Sequence, residues 1–134
     1  ITGIFSVLVD GDDHDEPVAD AVRGILDGHL VLDRRIGERG RWPAVDVLRS
    51  VSRALPRCHK PEENRLLAEA RTLLSAYENM AELIRLGAYR TGSDPQVDRA
   101  ILKHPEFEQF LGQGIDERTR AADAFAALGE ILAS

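Results

Sequence analysis

Two kinds of apolar pattern divide the chain. At its start, ITGIFSVLV is apolar on both alternating sets, Ile1, Gly3, Phe5, Val7 and Val9 on one and Ile4 and Leu8 on the other. A strand with two apolar faces belongs inside a parallel sheet covered on both sides. The loop DGDDHDE follows, and Pro17 stands where a helix tolerates proline, in its first turn. Ala19, Val22, Ile25 and Leu26 give that helix an apolar stripe ending at Asp27-Gly28. His29 to Leu32 reads as a short strand, and a brief helix from about Asp33 stops at Gly40. Pro43 then opens PAVDVLRSVSR, which reads as irregular.

After Pro61 the period changes. Leu66, Ala70, Leu73, Tyr77, Met80 and Ile84 recur at alternating steps of four and three, which is one face of a helix. Leu67, Leu74, Leu83 and Leu86 widen the stripe enough for burial in a bundle. This helix runs for ~25 residues, or ~38 Å, before Gly87 ends it. Ser93-Asp94-Pro95 restarts a helix with a capping residue and a proline. His104-Pro105 restarts it again, and a last helix runs from about Glu117 to Leu132. The expected architecture is the strand-containing tail of an α/β domain followed by an all-helical domain.

Length and composition narrow the classes. The chain has 134 residues, 43% of them apolar and 30% charged, which suits a globular protein. No apolar run approaches the ~18 residues of a membrane span. The single cysteine, Cys58, excludes an internal disulfide framework. The chain opens in mid-strand at Ile1, neither Met nor a small residue, so it is expected to be the carboxyl-terminal part of a longer protein.

Charge is unevenly placed. Residues 1–30 hold seven acids and one base, Arg23, which accounts for the whole net charge of −6. Residues 34–57 hold seven arginines (34, 35, 39, 41, 49, 53 and 57) against Glu38 and Asp46. Such a patch either favours an anionic partner or is a solvated surface. Nucleic-acid binding would want a basic domain, and none is expected here.

Several candidate chemistries drop out. Asp10 and Asp12 fit the first positions of an EF-hand loop, but His14 and Asp15 break the pattern, leaving a solvated loop or a docking site for a basic partner. His14, His29, His59 and His104 lack metal-ligand spacing with one another or with Cys58, so no metal site is expected. Neither a Ser-His-Asp set nor a glycine-rich phosphate loop is present. Trp42, the only tryptophan, sits before Pro43 in the arginine-rich stretch. It is either a buried anchor or a platform on which a base stacks.

The stretch ADAVRGILDGHLVLDRRIGERGRWPAVDVLRSVSR closely resembles the rotary ATP synthase superfamily, with its aromatic-Pro-Ala-[VI]-[DN] loop and [ST]-x-SR. ELIRLGAYRTGSDPQVDRAI narrows the resemblance to the flagellar and type III secretion export ATPases. Trp42, where tyrosine is commoner, and Arg49, where small residues are usual, are modest departures.

The resemblance covers essentially the whole chain and implies its fold. Residues 1–57 would be the α/β tail of a RecA-like P-loop nucleotide-binding domain, and residues 58–134 an all-α helical-bundle C-terminal domain. It implies a cytoplasmic homohexamer, peripherally associated with the inner membrane, that hydrolyses ATP between subunits to drive export of flagellar proteins. The phosphate loop and magnesium ligands for ATP and Mg would lie upstream of Ile1, so this segment alone would be inactive.

Residue by residue, Arg53 looks like the arginine that reaches a neighbour's γ-phosphate. Trp42 matches the aromatic stacked on adenine, and Phe110 a second aromatic across that pocket. Phe110 also belongs to a helical core face with Phe107 and Leu111. Asp12, Asp13 and Asp15 match an acidic loop facing a coiled-coil central stalk. Further partners implied are an export regulator, the export gate, exported substrates and their chaperones. The alternatives are a non-flagellar type III secretion ATPase or a non-enzymatic helical interaction module.

Overall fold

The computed structural model of the chain describes residues 2–8 and 17–134, the side chains of residues 18–20 excepted. Seven elements follow in order: α1 (Pro17–Ile25), β1 (Gly28–Leu32), α2 (Arg34–Glu38), β2 (Val45–Ser52), α3 (Pro61–Arg85), α4 (Pro95–Leu111) and α5 (Ala121–Ala133). The acidic loop, with Asp12, Asp13 and Asp15, lies outside the described residues.

The expected first strand does not form. Residues 2–8 have no regular structure, and Ile4, Phe5 and Leu8 are exposed. A doubly apolar strand needs a hydrogen-bonded neighbour on each edge and cover on each face. Among the described residues the only sheet pairs β1 with β2, antiparallel, so the expected parallel sheet is not seen either.

PAVDVLRSVSR, expected to be irregular, forms β2. Gly28 pairs with Ser52 and His29 with Val51, whereas Val31 pairs with Asp46 and Leu32 with Val45. The register shift between these pairs leaves a bulge at residues 47–50. Side chains satisfy it. Asp46 Oδ1 accepts from the backbone N–H of Leu48 and Arg49, both at 3.0 Å, and Ser50 Oγ accepts from Val31 N–H at 3.0 Å. Arg71 of α3 donates to the carbonyls of Val47 at 2.8 Å and Leu48 at 3.0 Å. The bulge is therefore bonded to the helical bundle.

Between the strands, Asp33 caps α2 by accepting from Arg35 N–H at 2.8 Å. Gly40, at φ +90°, makes the turn that sends the chain back.

The bundle forms as its periodicity predicts. α3 ends before Gly87, whose φ of +68° suits a left-handed cap. Ala70 and Leu73 of α3, Ala100 and Phe107 of α4, and Leu128 and Leu132 of α5 form the core. Leu66, Leu67, Leu74 and Tyr77 pack around it, whereas Leu83 and Leu86 remain exposed, so the stripe is narrower than expected. Asp94 caps α4, accepting from Gln96 N–H at 2.8 Å and Val97 N–H at 3.4 Å.

Pro105 does not restart a helix, because α4 runs straight through it. Proline removes one backbone donor, to the carbonyl of Ile101. Ala100, Lys103 and Phe107 are buried around that point, and their packing holds both halves to one axis. α5 starts at Ala121, four residues later than predicted, since Glu117 instead closes a turn by accepting from Gly114 N–H at 3.0 Å. At the other end of α5, Arg99 donates to Leu132 O at 2.7 Å, and the buried Lys103 donates to Ser134 Oγ and to Glu106 at 3.2 Å. Both cations complement the negative end of a helix.

Candidate functional site

Trp42 stands in the turn between α2 and β2, and its ring is set by small neighbours. A Cβ on Gly37 would lie 3.0 Å from Trp42 Cη2, so only glycine at 37 lets the indole lie where it does without displacement. The residue is nonetheless 62% exposed. Among the described residues the indole is therefore not a buried anchor. Its carbonyl accepts from Gln113 N–H at 2.7 Å, tying the turn to the segment after α4.

Arg41 makes the second tie. Its side chain is only 11% exposed, with Nε 3.2 Å from Glu108 Oε2 and Nη1 donating to Val45 O at 3.3 Å. Glu108 Oε1 lies 3.9 Å from His104 Nε2, and the His104 ring stacks on Tyr77 of α3 with centroids 3.5 Å apart. Burial pushes the His104 pKa down, while the nearby Glu108 and Glu78 carboxylates oppose that shift. Between the turn and the end of α4 lies an open recess of about 410 Å³, with Arg39, Arg41, Trp42, Glu108, Gln109 and Gln113 among its walls. This polar, aromatic-edged hollow can take a flat heterocycle against the indole.

Phe110 does not line this recess. It is half buried against the Phe107 cluster, so the structure brings Trp42 to α4 but not to Phe110. Arg53 lies at the far end of β2. Its backbone N–H donates to Asp27 O at 2.8 Å and its Nη2 to Gly24 O at 2.9 Å, in the last turn of α1. The residue is exposed, and one guanidinium donor used locally leaves others facing out.

Much of the arginine patch is neutralised in place. Arg34 pairs with Glu38 at 2.9 Å, Arg35 with Asp33 at 3.0 Å, and Arg49 approaches Asp33 at 4.0 Å. The hydrogen bond from Arg35 leads in pulling the Asp33 pKa down against the opposing effect of burial. Among the described residues, no group of three or more His, Cys, Asp or Glu could hold a metal ion. No helix among them is long and apolar enough to cross a membrane.

Sequence reasoning missed Arg71, Glu108 and Gln113. Arg71 and Gln113 act on backbone carbonyls brought close only by folding, which leaves no mark in the pattern. Glu108 carried a faint one, four residues after His104 on the same helix.

Residues 59–130 match the family model of the type III secretion system EscN ATPase C-terminal domain. Residues 1–52 match the nucleotide-binding domain of the ATP synthase alpha/beta family. The chain is similar to the flagellum-specific ATP synthase of Caulobacter vibrioides, 58% identical over 134 residues, which is 100% of this chain and 30% of that protein. It is 48% identical to the Bacillus subtilis protein of the same name over 96% of this chain and 29% of that one. The chain thus spans about three tenths of the length of the curated relatives it matches. Among solved structures, assembled EscN from the type III secretion system of enteropathogenic E. coli superposes with a TM-score of 0.87 at 34% identity, over 94% of this chain and 31% of that one. EscN in complex with its central stalk EscO gives 0.80 at 34% identity, over 87% and 29%.

Proposed function

The chain belongs to the family of flagellar and type III secretion export ATPases, and from that premise we propose that it forms part of a flagellar export ATPase. In that enzyme a homohexamer hydrolyses ATP at its subunit interfaces to drive export of flagellar proteins. Residues 1–57 are the tail of a RecA-like P-loop domain and residues 58–134 the C-terminal bundle. The two family matches leave residues 53–58 between them, which supports that boundary. Greater identity to the flagellar relatives than to EscN favours the flagellar over the non-flagellar system. ATP and Mg are held chiefly by the phosphate loop and its partners, which are not among these residues.

One observation carries the site. The only tryptophan is 62% exposed above an open recess, on a turn tethered at its carbonyl. Trp42 stacks on the adenine of its own subunit. Phe110 is the second aromatic of that pocket, although here it packs against the Phe107 cluster. Arg53 serves the neighbouring subunit, where its planar fork of donors neutralises charge on the γ-phosphate during transfer. A stalk partner is supported by EscN, a relative solved in complex with its central stalk EscO, and Asp12, Asp13 and Asp15 are the residues assigned to bind it. The ATPase's further partners are an export regulator, the export gate at the inner membrane, exported substrates and their chaperones.

The test is Trp42→Ala in the ATPase that contains this chain. Stacking holds ground and transition states alike, so the KM for ATP rises while kcat falls little. The loss is on the order of 1–3 kcal/mol, as for bases on aromatic platforms. An unchanged KM in a folded variant returns Trp42 to a structural role.

A further inference from the structure

An indole 62% exposed is packed on one side only, so the backbone that carries it also helps to fix the face it presents. Trp42 touches Gly37 beneath it, and its backbone is tied on both sides to the end of α4. On one side Gln113 N–H holds the Trp42 carbonyl at 2.7 Å. On the other, the preceding residue, Arg41, turns its side chain inward. Arg41 Nε is buried and has no partner of good hydrogen-bond geometry, so its charge rests on the Glu108 carboxylate 3.2 Å away. Glu108 is in turn held between Arg41 and His104, which stacks on α3.

We infer that Glu108 is a positioning residue for Trp42: by holding Arg41 against the helical bundle, it fixes the ring face offered to the nucleotide base, and so lets the bundle set ATP affinity. This rests on the reading that Trp42 stacks on adenine. Without the carboxylate, Arg41 keeps only the 3.3 Å bond from Nη1 to Val45 O, and the turn loses one of its two ties to the end of α4. The ring then samples several orientations, only some of which stack.

Glu108→Gln keeps the side chain's size and removes its charge. In the intact ATPase it raises the KM for ATP by about threefold to tenfold and changes kcat by less than about twofold. Arg41→Lys, which keeps a charge facing Glu108, recovers part of the affinity lost in Arg41→Ala. Trp42 is the only tryptophan in these 134 residues, so in an intact ATPase whose tryptophans elsewhere are replaced by phenylalanine its fluorescence reports the turn. Glu108→Gln lowers its anisotropy at a helical content matching wild type.

A Glu108→Gln enzyme with wild-type KM, measured where Trp42→Ala raises it, overturns the inference and leaves the stacking reading standing. If Trp42→Ala leaves KM unchanged, the stacking reading fails. Lowered anisotropy in Glu108→Gln would then still support the positioning of Trp42 by Glu108, and unchanged anisotropy would overturn that too. A lowered kcat at constant KM also overturns it.

Discussion

Arg53 offers two roles whose sizes differ enough to separate. Its structural role is visible: Nη2 donates to Gly24 O at 2.9 Å, satisfying a carbonyl at the end of α1 that the helix leaves open. Removing that bond from an exposed site costs about 0.5–1.5 kcal/mol of stability. The catalytic role is larger. An arginine acting on a transferring phosphoryl group is worth about 10³-fold or more in kcat, which is about 4 kcal/mol of barrier. Arg53→Ala in the full ATPase should therefore leave the ring assembled and ATP bound, since the binding loop and adenine pocket belong to another subunit, and reduce kcat by about 10³-fold or more. Arg53→Lys should rescue poorly, because a point charge cannot reproduce the fork.

The assay is steady-state ATP hydrolysis on rings of verified size, alongside urea unfolding of each variant. Rings that mix Arg53→Ala subunits with subunits lacking the phosphate-loop lysine decide the geometry. Some of their interfaces join an intact lysine to an intact Arg53, so partial activity returns. A fall in kcat below about tenfold, with the stability loss seen, would mean that Arg53 only caps α1. No recovery in proven mixed rings would refute action across the interface.

Other outcomes follow from the same geometry. Replacing Asp12, Asp13 and Asp15 with Asn should weaken binding of the coiled-coil stalk, and wild-type affinity should fall as salt rises; a triple variant that binds normally at low salt excludes the docking role. Phe107→Ala empties the centre of the three-helix core, where the ring is 2% exposed, and should cost about 3–5 kcal/mol in urea unfolding; a loss under about 1 kcal/mol would mean that the core is not packed as described. Asp33 has a lowered pKa in the folded chain, so its contribution is present above the unfolded carboxylate value of about 3.9 and is lost as pH falls through the folded value. Asp33→Asn should therefore lose stability near neutral pH, with the gap to wild type closing in acid; a gap independent of pH would contradict the pairing with Arg35.

Patterning alone placed α3 and the start of α4. Leu66, Ala70 and Leu73 recur at the helical period, Asp94-Pro95 caps and opens α4, and Gly87 closes α3, because each signal acts within a few residues of itself. The motif around Trp42 and Arg53 named the positions proposed above for a nucleotide site. Tertiary structure decided the rest. Pro105 was a break by every local rule, yet burial of Ala100 and Phe107 carried α4 through it. PAVDVLRSVSR looked irregular because its bulge breaks the period of two; it is a strand because Asp46, Ser50 and Arg71 satisfy the backbone groups that the bulge frees. The doubly apolar opening segment was correctly patterned for a buried strand and still formed none, since a strand's hydrogen bonds and cover come from other elements. The ties from Glu108 to Arg41 and from Gln113 to Trp42 join residues 67 and 71 positions apart. No local pattern encodes such a contact; it exists only once α4 has packed on α3 and brought its end to the turn.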